Sequence, residues 1–293
     1  MRKTLLATAL LASAGAAQAI TIEFDYSYDN TGFFTSQHVA IMDSVASELG
    51  MRITDSLAAI TSSGPNSYQA AIGLVSNTDI LTGPISVAAD TIRVYVGADA
   101  LGGTTLGIGG SGYNAGGFQN FIDLVRTRGQ AEPASENFTP VSGQIVFDTE
   151  TTWYLDDDVS TVEGFGGFDF YSIVLHEMGH VLGLGASDAW DHDVSGTSYT
   201  GANAMAAYGG PVPLIADTSH LDKSIVSSFM GGLQEPAMTA SISAGQRKYF
   251  TELDWALLAD VGWQVTAVPE AHSWAMMLAG LGLLGWRLRR RAA

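Results

Sequence analysis

The stretch His176-Glu177-Met178-Gly179-His180 constrains this chain of 293 residues more than any other. Side chains four positions apart on an α-helix stand one above the other on the same face, so both imidazoles can meet a single ion. Two neutral imidazole nitrogens suit Zn²⁺, which takes N and S ligands in tetrahedral geometry. Glu177 follows the first histidine on the same side of the helix, where it can reach a water on the ion without occupying a ligand position. The pattern therefore joins a helix, a metal, a base and a reaction class, hydrolysis by an activated water. The bare pattern fixes three positions only, and an ordinary amphipathic helix with two surface histidines also satisfies it. Its weight comes from the neighbours.

Val174, Met178 and Val181 fall at i, i+4 and i+7, and Leu175 and Leu182 are seven apart. This is a helical period with a wide apolar surface, as a buried helix shows. Asp169 is the expected N-cap, and Gly183 and Gly185 stop the helix. Both histidines then lie on the last turns of a helix that ends abruptly, so the chain turns back and can bring a further ligand. His38 belongs to a segment that reads as the first helix, and His272 to the C-terminal tail. The remaining candidates are His192, His220, Asp188, Asp191, Asp193 and Asp222. His192 is flanked by Asp191 and Asp193, carboxylates able to orient an imidazole.

His176-Glu177-x-x-His180-x-x-Gly183 resembles the start of the metzincin zinc-protease signature, H-E-x-x-H-x-x-G-x-x-H. That signature would place its third ligand at position 186, where this chain has Ala186. The resemblance then points to the leishmanolysin-type branch, which delays the third histidine by an insertion after the glycine. The segment 185–217, rich in Gly, Ser, Ala and Pro and with little periodicity, reads as such an insertion. His220 is the favoured third ligand, with His192 or an acidic group as alternatives. The run Gln234-Glu235-Pro236-Ala237-Met238-Thr239 resembles a Met-turn, which gives Met238 the place beneath the metal; plain core packing is the alternative for that residue. Some metzincins carry a tyrosine two residues later, at what is here Ala240.

The resemblance implies an α+β fold, with a twisted, mostly parallel sheet, an active-site helix and a smaller C-terminal subdomain. It implies a secreted zinc-dependent endopeptidase in which Glu177 activates a zinc-bound water. Its peptide or protein substrate would pair with a sheet edge, which we expect within 144–153. Thr251 to Trp263 reads as a capped helix and looks like the closing helix of matrixin-type domains. Two other readings stay open. One is a gluzincin-type hydrolase with Glu235 or Glu252 as third ligand. The other is a non-catalytic metal-binding envelope or biofilm-matrix protein.

Upstream, Ile20 to Tyr26 alternates as a strand, Ser36 to Gly50 reads as a helix, and Thr91–Val96 and Gly143–Asp148 read as strands. Phe118 to Arg126 reads as a short helix. The glycine-rich stretch 102–117 lacks a phosphate-loop pattern and reads as a loop.

Both ends carry processing features. Met1-Arg2-Lys3, an apolar run from Leu5 to Ala17 and Ala17-Gln18-Ala19 compose a signal peptide over 1–19. Val268-Pro269-Glu270, an apolar run from Trp274 to Trp286, and Arg287, Arg289, Arg290 and Arg291 resemble a PEP-CTERM sorting tail over 268–293, with Ala271 in place of the second proline. That resemblance implies transient inner-membrane association through a transmembrane-like helix and cleavage by an exosortase. It also implies export from a Gram-negative bacterium, to the envelope or beyond. The catalytic domain is expected over 20–267.

Removing both ends takes six of the 13 basic residues and Glu270 alone of the 30 acidic ones, so the body has a net charge near −22. Such a body does not bind nucleic acid electrostatically. Asp156-Asp157-Asp158 and Asp188-x-x-Asp191-x-Asp193 are candidate Ca²⁺ clusters, though neither matches an EF-hand loop and a solvated acidic loop is the simpler reading. With no cysteine, disulfides, thiolate zinc sites, cysteine nucleophiles and thiolate latency are all excluded. Mass spectrometry of the exported protein should find a C-terminus upstream of the arginine cluster; an intact Arg291 would contradict the sorting reading.

Overall fold

The computed structural model describes residues 19–73, 80–156, 158–159, 161 and 164–266. The expected C-terminal tail, the signal peptide before residue 19, and Asp157 of one acidic cluster lie outside the described residues. Among the described residues no helix is long and apolar enough to cross a membrane.

The chain runs β1 (Thr21–Asp25), α1 (Ser36–Arg52), β2 (Ser67–Ile72), β3 (Ile80–Leu81), β4 (Thr91–Asp99), β5 (Gly107–Gly110), β6 (Tyr113–Gly116), α2 (Gln119–Thr127), β7 (Ser142–Asp148), β8 (Trp153–Tyr154), β9 (Phe168–Asp169) and α3 (Phe170–Val181). It continues with α4 (Asp188–His192), β10 (Val194–Ser195), β11 (Ser198–Tyr199), α5 (Ala202–Tyr208), β12 (Val212–Pro213), β13 (Ser227–Phe229), β14 (Gly232–Gln234) and α6 (Glu252–Asp260). The main sheet has the order β1-β4-β7-β5. Its first three strands are parallel and β5 is antiparallel to β7, which gives the mixed α+β, mostly parallel architecture expected. Among the described residues, the part of the chain after α3 adds no strand to this sheet.

α1 and α3 pack together against one face of the sheet, with Met42, Val45, Leu49, Val94, Ile145, Val174, Leu175 and Met178 in one core. Each such side chain contributes roughly 1.5–3 kcal/mol through burial, which fixes α3 far more firmly than helix propensity could. α3 starts where expected, with the Asp169 carboxylate accepting the Ser172 N–H at 3.1 Å. α1 differs from the expectation. It continues past Gly50 to Arg52, and Gly50 is needed for a close approach: a Cβ there would lie 2.5 Å from the Ile20 carbonyl oxygen. His38, on the same helix, is buried among Phe33, Phe34 and Phe170.

Two expectations are corrected. The glycine-rich stretch 102–117 contains two strands, β5 and β6, rather than a loop alone. The open edge of the main sheet is consequently β5, and β7, placed within the expected edge at 144–153, is an interior strand paired on both sides. The segment 185–217 is also folded. It holds α4, α5 and the small sheet β10-β11-β12, and it buries Trp190, Tyr199, Ala204 and Val212.

Arg128, at the end of α2, joins the upstream segments. Its guanidinium is fully buried and donates to the carbonyls of Ala58 at 2.8 Å, Thr91 at 3.2 Å, Pro140 at 3.1 Å and Ala88 at 3.3 Å. Burial lowers its pKa to about 10, still high enough to keep the charge at neutral pH. Arg128→Met should leave these carbonyls without their donors and cost about 3 kcal/mol or more; the midpoint of urea unfolding measures it.

Candidate metal centre

α3 is apolar almost all round; beyond Ser172 in its first turn, which bonds to the Asp169 cap, its buried or half-buried polar side chains include the titratable His176, Glu177 and His180. Polar groups in such a position are costly unless partnered, so their partners define the site. His176 Nδ1 donates to the Ala237 carbonyl at 2.7 Å, and His180 Nδ1 donates to the Leu184 carbonyl at 2.7 Å. His220 arrives from the chain beyond the folded insertion, and its Nδ1 faces the Asp217 carboxylate at 3.0 Å.

With each Nδ1–H committed, every Nε2 of a neutral ring carries a lone pair. These lone pairs converge: His180 Nε2 lies 3.1 Å from His176 Nε2 and 3.2 Å from His220 Nε2. Lone pairs so close repel unless a cation sits between them. Ligands about 2.0–2.1 Å from a tetrahedral Zn²⁺ are about 3.3–3.4 Å apart, close to the spacing found. Burial pushes the His176 pKa well below its usual value and the His180 pKa down to about 4, which keeps both rings in the neutral, ligating form at neutral pH. The residues therefore fit a zinc ion.

Among the described residues this is the one cluster of three or more His, Asp or Glu side chains with converging ligand atoms. His192 is not part of it; it is exposed and paired with Asp193 at 3.0 Å. Glu235 is turned to Lys248, 3.0 Å away, and Glu252 lies in the first turn of α6. Asp156 is paired with Arg247 at 3.2 Å, and no acidic cluster for Ca²⁺ appears among the described residues.

Met238 lies directly under α3. A Cβ on Gly179 would fall 2.4 Å from Met238 Sδ, so the glycine between the two histidines is what lets the sulfur approach. The turn that carries Met238 hangs from one buried carboxylate. Asp254, the capping-box residue of α6, accepts the N–H groups of Ala237 and Met238, each at 3.1 Å, and of Thr251 at 2.7 Å. The Met238 carbonyl in turn accepts the Leu221 N–H at 3.0 Å, next to His220. At the far end of α6, the Trp263 indole donates to the Leu182 carbonyl at 2.8 Å and closes the end of α3.

Glu177 lies under the edge strand. A Cβ at Gly107 would lie 2.9 Å from its Cγ, and one at Gly109 would lie 2.5 Å from its carbonyl oxygen, so only glycine lets β5 cover it. Burial raises the Glu177 pKa to about 8, opposed by the Gly109 N–H; the charge of an ion beside it would pull it down again. Gly107 and Gly109 were missed from sequence, although glycines two apart mark one face of a strand. The cleft passes between β5 and the segment Ala237–Ile242, past Ile173, His176, Glu177, His180 and His220.

Residues 119–198 match the Matrixin family. The match takes in α2, β7 and all of α3 and ends short of His220 and Met238. Residues 267–291 match the PEP-CTERM protein-sorting motif, a mark of export and cell-envelope sorting in Gram-negative bacteria. The chain is similar to Metalloendoproteinase 1 of Glycine max, with 40% identity over 50 residues. That stretch spans 17% of this chain and 16% of the Glycine max protein. No solved structure matches the chain.

The packing of Gly179 on Met238 yields a double-variant test. Gly179→Ala should cost about 1–3 kcal/mol by overpacking. Met238→Ala in the same molecule should cost less than the sum of the two single changes, because each variant relieves the other. Thermal unfolding of the single and double variants measures the coupling; strict additivity would show that the two residues do not press on each other.

Proposed function

We propose that this chain is an exported zinc-dependent endopeptidase, with His176, His180 and His220 as the metal ligands and Glu177 as the general base. The observation that carries the reading is the convergence of three Nε2 lone pairs beside a buried carboxylate in an open cleft. A purely structural zinc site is closed by four protein ligands and has no use for a base. The Matrixin match and the resemblance to a metalloendoproteinase point the same way.

When bound, Zn²⁺ supplies Lewis acidity at the scissile carbonyl and to the attacking water. Glu177 receives the proton of that water and delivers it to the leaving amine nitrogen. Its cover of glycine backbone excludes bulk solvent from one side of the carboxylate. The open edge of β5 offers main-chain groups to an extended peptide, which would add as a further strand along the cleft. No tyrosine lines the cleft among the described residues, and Ala240 stands in its wall, so no phenol assists from that side.

The two ends complete the proposal. The segment 1–19 directs export, residues 20–267 form the catalytic domain, and the tail 268–293 holds the protein at the inner membrane until an exosortase-type enzyme removes it. In this reading the third histidine is delayed as in the leishmanolysin-like arrangement, and Ala186 at the position of the compact signature's third ligand supports it.

Glu177→Ala should retain one equivalent of zinc and lose peptide cleavage by about 10²–10⁴-fold. Cleavage of a mixed peptide library, with and without a chelator, measures it alongside metal analysis. Undiminished turnover in the zinc-loaded variant would refute the assigned base, and chelator-resistant cleavage by the wild type would refute the zinc reading.

A further inference from the structure

The three imidazoles are not held alike. His176 and His180 hang from main-chain carbonyls of Ala237 and Leu184, both buried in the core. His220 hangs from a side chain, the carboxylate of Asp217, whose own surface is 49% exposed. Two rings are therefore oriented by backbone of the core, and the orientation of the third rests on one surface side chain.

The turn that presents His220 is closed on itself. The Ile215 N–H donates to the His220 carbonyl at 3.0 Å, and the Thr218 N–H donates to the Ile215 carbonyl at 2.9 Å. Asp217 uses both oxygens, Oδ1 accepting the Ser219 N–H at 2.9 Å and Oδ2 facing His220. Thr218 is held at φ +61°, a left-handed conformation rare for a β-branched residue, so its surroundings must impose it. One of those constraints comes from the folded insertion. Trp190 of α4, buried and stacked on Tyr199 at 4.3 Å, donates its indole N–H to the Thr218 carbonyl at 2.9 Å.

We infer that Asp217 is the positioning residue of the third metal ligand, and that the turn 215–220, pinned by Trp190, is the arm through which the metal is taken up and released. The inference rests on the zinc reading above. A carboxylate on Nδ1–H fixes the ring's tautomer and orientation and raises the donor strength of Nε2. Because the other two rings hang from core carbonyls and Leu221 is bonded to Met238, loss of metal begins with the His220 ring turning away from Asp217. The insertion thus tunes how long the site holds its ion, although it supplies no ligand.

The test uses the full chain with zinc alone, by chelator competition for affinity and by stopped-flow transfer to a chromophoric chelator for release. Asp217→Ser keeps an oxygen for the Ser219 N–H, so the turn is preserved, but it is too short to reach His220. It should bind zinc about 10–100-fold more weakly, with release faster by a similar factor. Asp217→Asn, which still offers a carbonyl to Nδ1–H, should recover most of the loss. Trp190→Phe, which removes the N–H and leaves a smaller ring in the core, should lower the apo melting temperature and speed release as well. Wild-type affinity and release in Asp217→Ser, while His176→Ala loses zinc, would overturn the inference and leave the zinc reading standing. Undiminished zinc binding by His176→Ala would overturn the zinc reading itself.

Discussion

The site depends first on one buried carboxylate that touches neither the histidines nor the cleft. Asp254 accepts main-chain N–H groups from its own helix cap and from the turn at Ala237 and Met238. A carboxylate taken out of water is costly, and burial raises its pKa; the N–H groups it collects offset that cost. The result is a rigid joint between α6 and the turn. From it follow the Ala237 carbonyl that orients His176, the sulfur under Gly179, and the Met238 carbonyl that receives the strand leading from His220. The helix of the two histidines and the closing helix meet at this joint.

Much of this was legible in the sequence where a side chain carried the signal. The ends of α3 were marked by Asp169 and Gly183, and those of α6 by Thr251 and Gly262, because caps and left-handed stops act through single residues. The parallel strands were visible, β1 by its alternation within Ile20 to Tyr26 and the other two within Thr91–Val96 and Gly143–Asp148. His220 emerged once Ala186 had ruled out the compact spacing, and the structure places it beside His176 and His180.

What was not legible depended on partners distant in sequence. β5 has almost no side chains with which to show a period of two, and it is a strand because β7 offers it a ladder. The insertion has elements of two to seven residues, too short for periodicity, and it folds around Trp190 and Tyr199. The buried Arg128 resembled any surface arginine, since its partners are carbonyls contributed by three separate segments. Asp254 lies in a segment legible only as a capped helix, and its reach to residue 237 is a property of the folded chain.

The glycines of β5 have a consequence for selectivity. One wall of the cleft is bare backbone at Gly107 and Gly109, and the carboxylate behind it forbids any larger residue there. Under the proposed function, a peptide lying along that wall would meet chiefly main-chain groups common to every sequence, with Leu106 and Ile108 beside them. The opposite wall, at Thr239–Ile242 and the first turns of α3, presents the larger share of side chains with which one peptide could be told from another. The two walls are therefore built on different terms: one admits no side chain at Gly107 and Gly109 because Glu177 packs against them, and the other carries its variety in its side chains.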